Sequence, residues 1–126
     1  MAKIDLAKIP LFKNLKADEI ALIKDFLVEA KYNQDDLIFS KDRVRDKIII
    51  VDDGLVVLET DLKGPKTIAM FKAGDSLGEM ALIEKSSKHL YNVKVVSPEF
   101  NGWELSSYNW HTIIKKSPQT AEKIYQ

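Results

Sequence analysis

The stretch Ala73-Gly74-Asp75-Ser76-Leu77-Gly78-Glu79-Met80-Ala81-Leu82-Ile83 combines two glycines, a carboxylate directly after the second, and a short apolar run that begins like a helix. Gly78 allows backbone to approach an anion closely, and the N–H groups that follow collect partial positive charge at the start of a helical turn. Glu79 is an acceptor suited to a sugar hydroxyl. Together these residues read as a cradle for phosphate and ribose. The plainer alternative is a strand-to-turn connection whose glycines provide only positive φ, with Glu79 capping the N–H groups of its own segment.

Around this stretch, from Tyr32 to Leu105, short apolar runs are punctuated by Asn33-Gln34-Asp35-Asp36, Asp52-Asp53-Gly54, Lys63-Gly64-Pro65 and Ser97-Pro98-Glu99. Such regular punctuation predicts an antiparallel β jelly roll or a related sandwich, with a hairpin loop at Leu62 to Lys66. Upstream, Ile20, Ile23, Leu27 and Ala30 recur at helical spacing, which predicts an amphipathic helix over Ala17 to Ala30. Downstream, Ser106 or Ser107 caps a helix whose apolar side is Tyr108, Trp110, Ile113 and Ile114. Ser117-Pro118 starts another through Ala121, Ile124 and Tyr125. The expected plan is one mainly β domain over 1–126, helical over 6–31, a β jelly roll over 32–105 and helices over 106–126.

In this order and spacing the chain resembles the cyclic-nucleotide-binding domain family, which includes the sensor domains of catabolite activator protein and FNR-like regulators. Ile9-Pro10-Leu11-Phe12, Leu15 and Asp18-Glu19-Ile20 resemble its opening helices. Asp36 to Phe39, Asp46 to Val51 and Asp53-Gly54 to Leu58 are similar to its first strands. Gly74-Asp75 and Gly78-Glu79-Met80-Ala81-Leu82-Ile83 match its phosphate-binding cassette, and Trp103-Glu104-Leu105 through Ser117-Pro118 its closing strand and helix. The resemblance implies a regulatory domain that binds cyclic AMP, cyclic GMP or a related phosphorylated nucleotide through Gly78, Glu79, Met80 and Ala81, then moves its C-terminal helices.

The cassette departs from that pattern in one respect. The family carries an arginine shortly after the Gly-Glu pair, followed by a small or hydroxyl residue, and its planar fork meets the cyclic phosphate. No arginine occurs between Glu84 and Val95. Counting back from Val93 along the strand puts His89 in its place, and counting forward from Gly78 puts Lys88 there. Leu90 then stands where the hydroxyl is expected. Losing the arginine is expected to weaken nucleotide binding by about tenfold to more than a hundredfold. The readings that follow are a sensor with altered nucleotide binding, or a protein-interaction or dimerisation module that kept the fold and lost the ligand.

Composition narrows the alternatives. Lys plus Arg and Asp plus Glu both number 19, so the formal net charge is zero and nothing favours nucleic acid or an anionic membrane. The chain has no cysteine, which excludes disulfides, thiolate metal sites and a cysteine nucleophile. His89 and His111 are too few for a cupin metal site, and no serine stands in a catalytic motif. The expectation is a cytoplasmic, non-enzymatic domain without metal or other cofactor. Its output passes to a protein partner or effector domain, or through a homodimer. No helix-turn-helix follows the last helix, so direct DNA reading by this chain is not expected.

Overall fold

The computed structural model describes residues 5–44, 46–60, 66–78, 88–89 and 91–125. Two 3-10 turns (Leu6–Lys8 and Pro10–Phe12) lead into α1 (Ala17–Lys24). Among the described residues eight strands follow: β1 (Val28–Asn33), β2 (Leu37–Phe39), β3 (Lys47–Asp53), β4 (Val56–Thr60), β5 (Lys66–Phe71), β6 (Ser76–Leu77), β7 (Asn92–Val95) and β8 (Glu99–Ser106). Helices α2 (Ser107–Lys116) and α3 (Pro118–Tyr125) close the chain's described part.

The strands form two four-stranded antiparallel sheets, ordered β1-β8-β3-β6 and β2-β7-β4-β5, which face each other as a jelly roll. Between them lies one core, containing Ile38, Phe39, Ile49, Val51, Val95 and Phe100. The other face of the first sheet carries the helices over a second core, in which Ile48, Ile50 and Leu105 meet Phe12, Ile23 and Trp110. Strand β3 therefore sends alternate side chains into two different cores, and Ile48 to Val51 are all fully buried.

The helix expected over Ala17 to Ala30 ends at Lys24, and the strand expected from Tyr32 starts at Val28. Ile23 keeps its helical role, but Ala30 faces the inter-sheet core from β1, opposite Gly102 of β8. Six paired residues of β1 and β8 outweigh a helical spacing that Leu27 and Ala30 match only by coincidence. The opening helices are 3-10 turns rather than α-helical, apart from α1. Ser106 caps α2 by accepting from the Asn109 N–H at 3.1 Å. Tyr108 is not on the apolar side of α2, being 80% exposed, because it lies about 200° around the helix from Trp110. The Leu62 to Lys66 loop lies outside the described residues except for Lys66, yet β4 and β5 pair up to Thr60 and Lys66 on either side of it.

Three turns share one construction. In Asn33–Asp36, Ser40–Arg43 and Lys72–Asp75 the fourth N–H donates to the first carbonyl, and the third residue has positive φ: Asp35 at 72°, Asp42 at 70° and Gly74 at 94°. That third residue donates to the carbonyl of a residue across from it, whose own N–H donates to the carbonyl of the fourth residue. The partners are Val95, His89 and Val51 respectively. Two residues thus face one, a β-bulge that re-aims the chain as it leaves the turn. Asp36 and Asp75, both fourth in their turns, also reach back to accept from the first N–H, at 2.7 and 2.9 Å.

Glu19 ties the N-terminal helix to the C-terminal one. Its carboxylate accepts from Lys123 Nζ at 2.6 Å, from the Lys16 N–H at 2.9 Å and from Thr120 Oγ1 at 2.9 Å. These bonds, Lys123 foremost, hold its carboxyl down from 4.5 to about 2. A depressed acid stabilises the fold in full above its unfolded value and loses that contribution as pH falls toward its folded one. Glu19→Gln is therefore expected to be less stable than the parent at pH 6, with the difference shrinking between pH 4.5 and 2, as urea melts would show. A difference that stays constant across that window would refute the assignment.

Candidate functional site

Gly78 has φ +84°, a conformation that a side chain disfavours. A Cβ there would lie 2.8 Å from the Lys47 carbonyl oxygen and 2.9 Å from Cζ of Phe39. The backbone at Gly78 is thus pressed against the start of β3 and the ring of Phe39. Glu79, Met80, Ala81 and Leu90, also expected at the site, lie outside the described residues.

The chain is described again at Lys88 and His89, and they return to the same place. Lys88 bridges Val44 antiparallel, and His89 is held by its two backbone bonds to Asp42 and Arg43, each 2.9 Å. The His89 ring is buried, 6% exposed, and stacks on Phe39 with centroids 4.3 Å apart and planes 22° apart. Phe39 therefore touches both ends of the cassette, Gly78 at one and His89 at the other. Sequence reading treated Phe39 only as a strand residue, and its aromatic character at the end of β2 was the available signal.

Beside Phe39 and His89 opens a groove of about 590 Å³, bordered by Ser40, Asp42, Val44, Asp46, Lys47 and Lys88. Lys47 is already committed. Its Nζ lies 3.0 Å from Glu104 Oε1 and 3.3 Å from the Tyr32 hydroxyl, which itself donates to Glu104 at 2.7 Å. Burial pulls the Lys47 ammonium down, but its bonds to Glu104 and Tyr32 outweigh this and leave it raised. Burial and the bond to Glu104 raise the Tyr32 phenol. Lys88 is exposed at the rim. Arg43, which sequence reading passed over, also lines this groove.

His111 is turned to its own helix, where Nδ1–H donates to the Ser107 carbonyl at 2.5 Å. Among the described residues no three His, Cys, Asp or Glu side chains stand together as a metal site. No helix among them is long and apolar enough to cross a membrane.

The sequence profile of the cyclic nucleotide-binding domain matches residues 29–116. The chain is 34% identical over 80 residues to a cGMP-dependent protein kinase, isozyme 2, of Drosophila melanogaster, covering 61% of this chain and 9% of the kinase. It is 31% identical over 84 residues to the cAMP-dependent protein kinase regulatory subunit of Mycosarcoma maydis, covering 66% of this chain and 16% of that protein. The chain thus spans a small part of the curated relatives it matches. Among solved structures, the N-terminal domain of a transcriptional regulator from Streptomyces coelicolor A3(2) superposes with a TM-score of 0.86 at 19% identity, covering 96% of this chain and 85% of that one. That likeness concerns the fold, an antiparallel jelly roll with flanking helices. With a profile match over most of its length and these relatives, the chain belongs to the cyclic nucleotide-binding domain family.

Proposed function

We propose that this chain is a regulatory, non-catalytic sensor that binds cyclic AMP, cyclic GMP or a related phosphorylated nucleotide more weakly than an arginine-bearing cassette does. Gly78, Glu79, Met80 and Ala81 form the cradle, with Glu79 on the ribose. Lys88 or His89 stands toward the phosphate, and Leu90 lines the place of the usual hydroxyl. No cofactor is required, and the signal leaves through the C-terminal helices to a protein partner, an effector domain or a second copy of the chain. One observation carries this reading: the two ends of the cassette, Gly78 and His89, converge on the single ring of Phe39. The relatives named for cyclic GMP and cyclic AMP support the choice of ligand class.

Isothermal titration calorimetry of the chain with both cyclic nucleotides tests it, with Glu79→Ala beside the parent. The expected result is saturable binding that the substitution weakens by about tenfold or more, the worth of a bond to a charged group. Absence of heat with either nucleotide, from protein that is folded, would overturn the reading. It would favour the second one, a protein-interaction module. For that alternative the specific observation is the edge strand β5, where Ile68 and Met70 are 51% and 59% exposed.

A further inference from the structure

We propose that Arg43, outside the cassette altogether, supplies the phosphate-contacting guanidinium that the cassette lacks. The inference rests on the nucleotide-sensor reading above and names the residue that recognises the anionic part of the ligand.

The first ground is the comparison of three turns within this one chain. Each ends in a residue that faces a neighbouring backbone segment through a bulge. In two of them that residue is an aspartate, Asp36 or Asp75, whose carboxylate accepts from the first N–H of its turn. In the third, the one beside the groove, it is Arg43, and a guanidinium has no acceptor with which to make that bond. The position has given up the structural bond that its two counterparts make. Among the described residues the Arg43 side chain has no hydrogen bond or ion pair of its own.

The second ground is how firmly the Arg43 backbone is held. Its N–H donates to the Ser40 carbonyl at 3.2 Å, and its carbonyl accepts from the His89 N–H at 2.9 Å. The neighbouring Lys41 N–H is bound by Asn92 Oδ1 at 2.8 Å, from β7. Asp42 holds φ 70°, a left-handed conformation that few non-glycine residues adopt. The loop is pinned at several points to the segment that follows the cassette, so a long side chain starts from a fixed base and loses less freedom on binding.

The third ground is chemical. Arg43 opens onto the same groove as Lys88 and His89. Of the described cations there, Lys47 is committed to Glu104 and Lys88 is a flexible point charge, whereas the Arg43 guanidinium offers two parallel donors to two phosphate oxygens. Asp42 and Asp46 border the groove too, so its charge is mixed and the anion is recognised by the placed fork rather than by net potential. The ligand class is a phosphodiester or phosphomonoester.

The test compares the parent with Arg43→Gln and Arg43→Lys, titrated with cyclic AMP and with adenosine, which lacks the phosphate. A second arm follows the Arg43 Nε–H resonance by NMR while inorganic phosphate replaces chloride at constant ionic strength. The expected result is a loss of about tenfold to a hundredfold in cyclic AMP affinity for Arg43→Gln, partial recovery in Arg43→Lys, and no change for adenosine. Phosphate is expected to shift the Nε–H signal. Cyclic AMP binding that is indifferent to Arg43→Gln would overturn the inference and leave the sensor reading standing. If no nucleotide binds but phosphate shifts Arg43, the anion site stands and the sensor reading falls. If neither happens, both fall. Thermal melts identify a variant that has merely unfolded, and in that event the NMR arm on the parent decides.

Discussion

Trp110→Ala is expected to lower the unfolding free energy by about 3–5 kcal/mol, out of the roughly 5–15 kcal/mol that a domain of this kind possesses. The indole is fully buried on α2 and shares its cluster with Phe12 from the N-terminal turns, Ile23 of α1 and Ile50 of β3. Ala121 and Ile124 of α3 belong to the same cluster. Neighbours contributed by both ends of the chain and by a sheet cannot all move inward at once, so the vacated space persists as a cavity. Urea denaturation followed by circular dichroism measures the loss. A change below about 1 kcal/mol would show that the helices close over the gap and that the core is more plastic than its burial implies.

Gly102→Ala is expected to cost about 3 kcal/mol by the opposite mechanism, excess rather than missing volume. Gly102 sits in β8 between Ala30 of β1 and Val51 of β3. A methyl group there would press on the carbonyl oxygen of Ile50 and stand 3.1 Å from the ring of Phe100. The ring can turn, but the carbonyl belongs to β3, which is paired on both sides and buried on both faces. Relief requires parting β3 from β8. The same denaturation experiment reads the result, and a near-neutral variant would mean that the two strands separate there at little expense.

Much of the fold was legible because its punctuation is chemical. Asn33 to Asp36, Asp53-Gly54 and Ser117-Pro118 mark turns and a helix start through residues whose backbone preferences are strong. The boundary at Val28 was not legible, since Ile20, Ile23, Leu27 and Ala30 fit a helical spacing. Only pairing with β8, over seventy residues away in sequence, decides that Ala30 is in a strand. For the site, Gly78 and the return at Lys88 and His89 could be read from order and spacing. The part of Phe39 could not, because its contacts to Gly78 and His89 are made across elements far apart in the chain. Arg43 escaped for a similar reason. Its interest comes from comparison with Asp36 and Asp75, and the likeness of the three turns is a matter of hydrogen bonds, not of letters.

The double burial of β3 bears on how the chain avoids misassembly. A strand with one wet face is kept in register because a one-residue shift would drag its apolar side chains into water. Ile48-Ile49-Ile50-Val51 has no such safeguard: shifted by one, it would offer nearly identical branched side chains to both cores. What forbids the shift is Lys47, whose ammonium would turn away from Glu104 and Tyr32 and enter the helical core without a counter-charge. The apolar letters make β3 the most buried of the described strands, and the charged letters at its ends, Lys47 before them and Asp52 and Asp53 after, tell it where to stop.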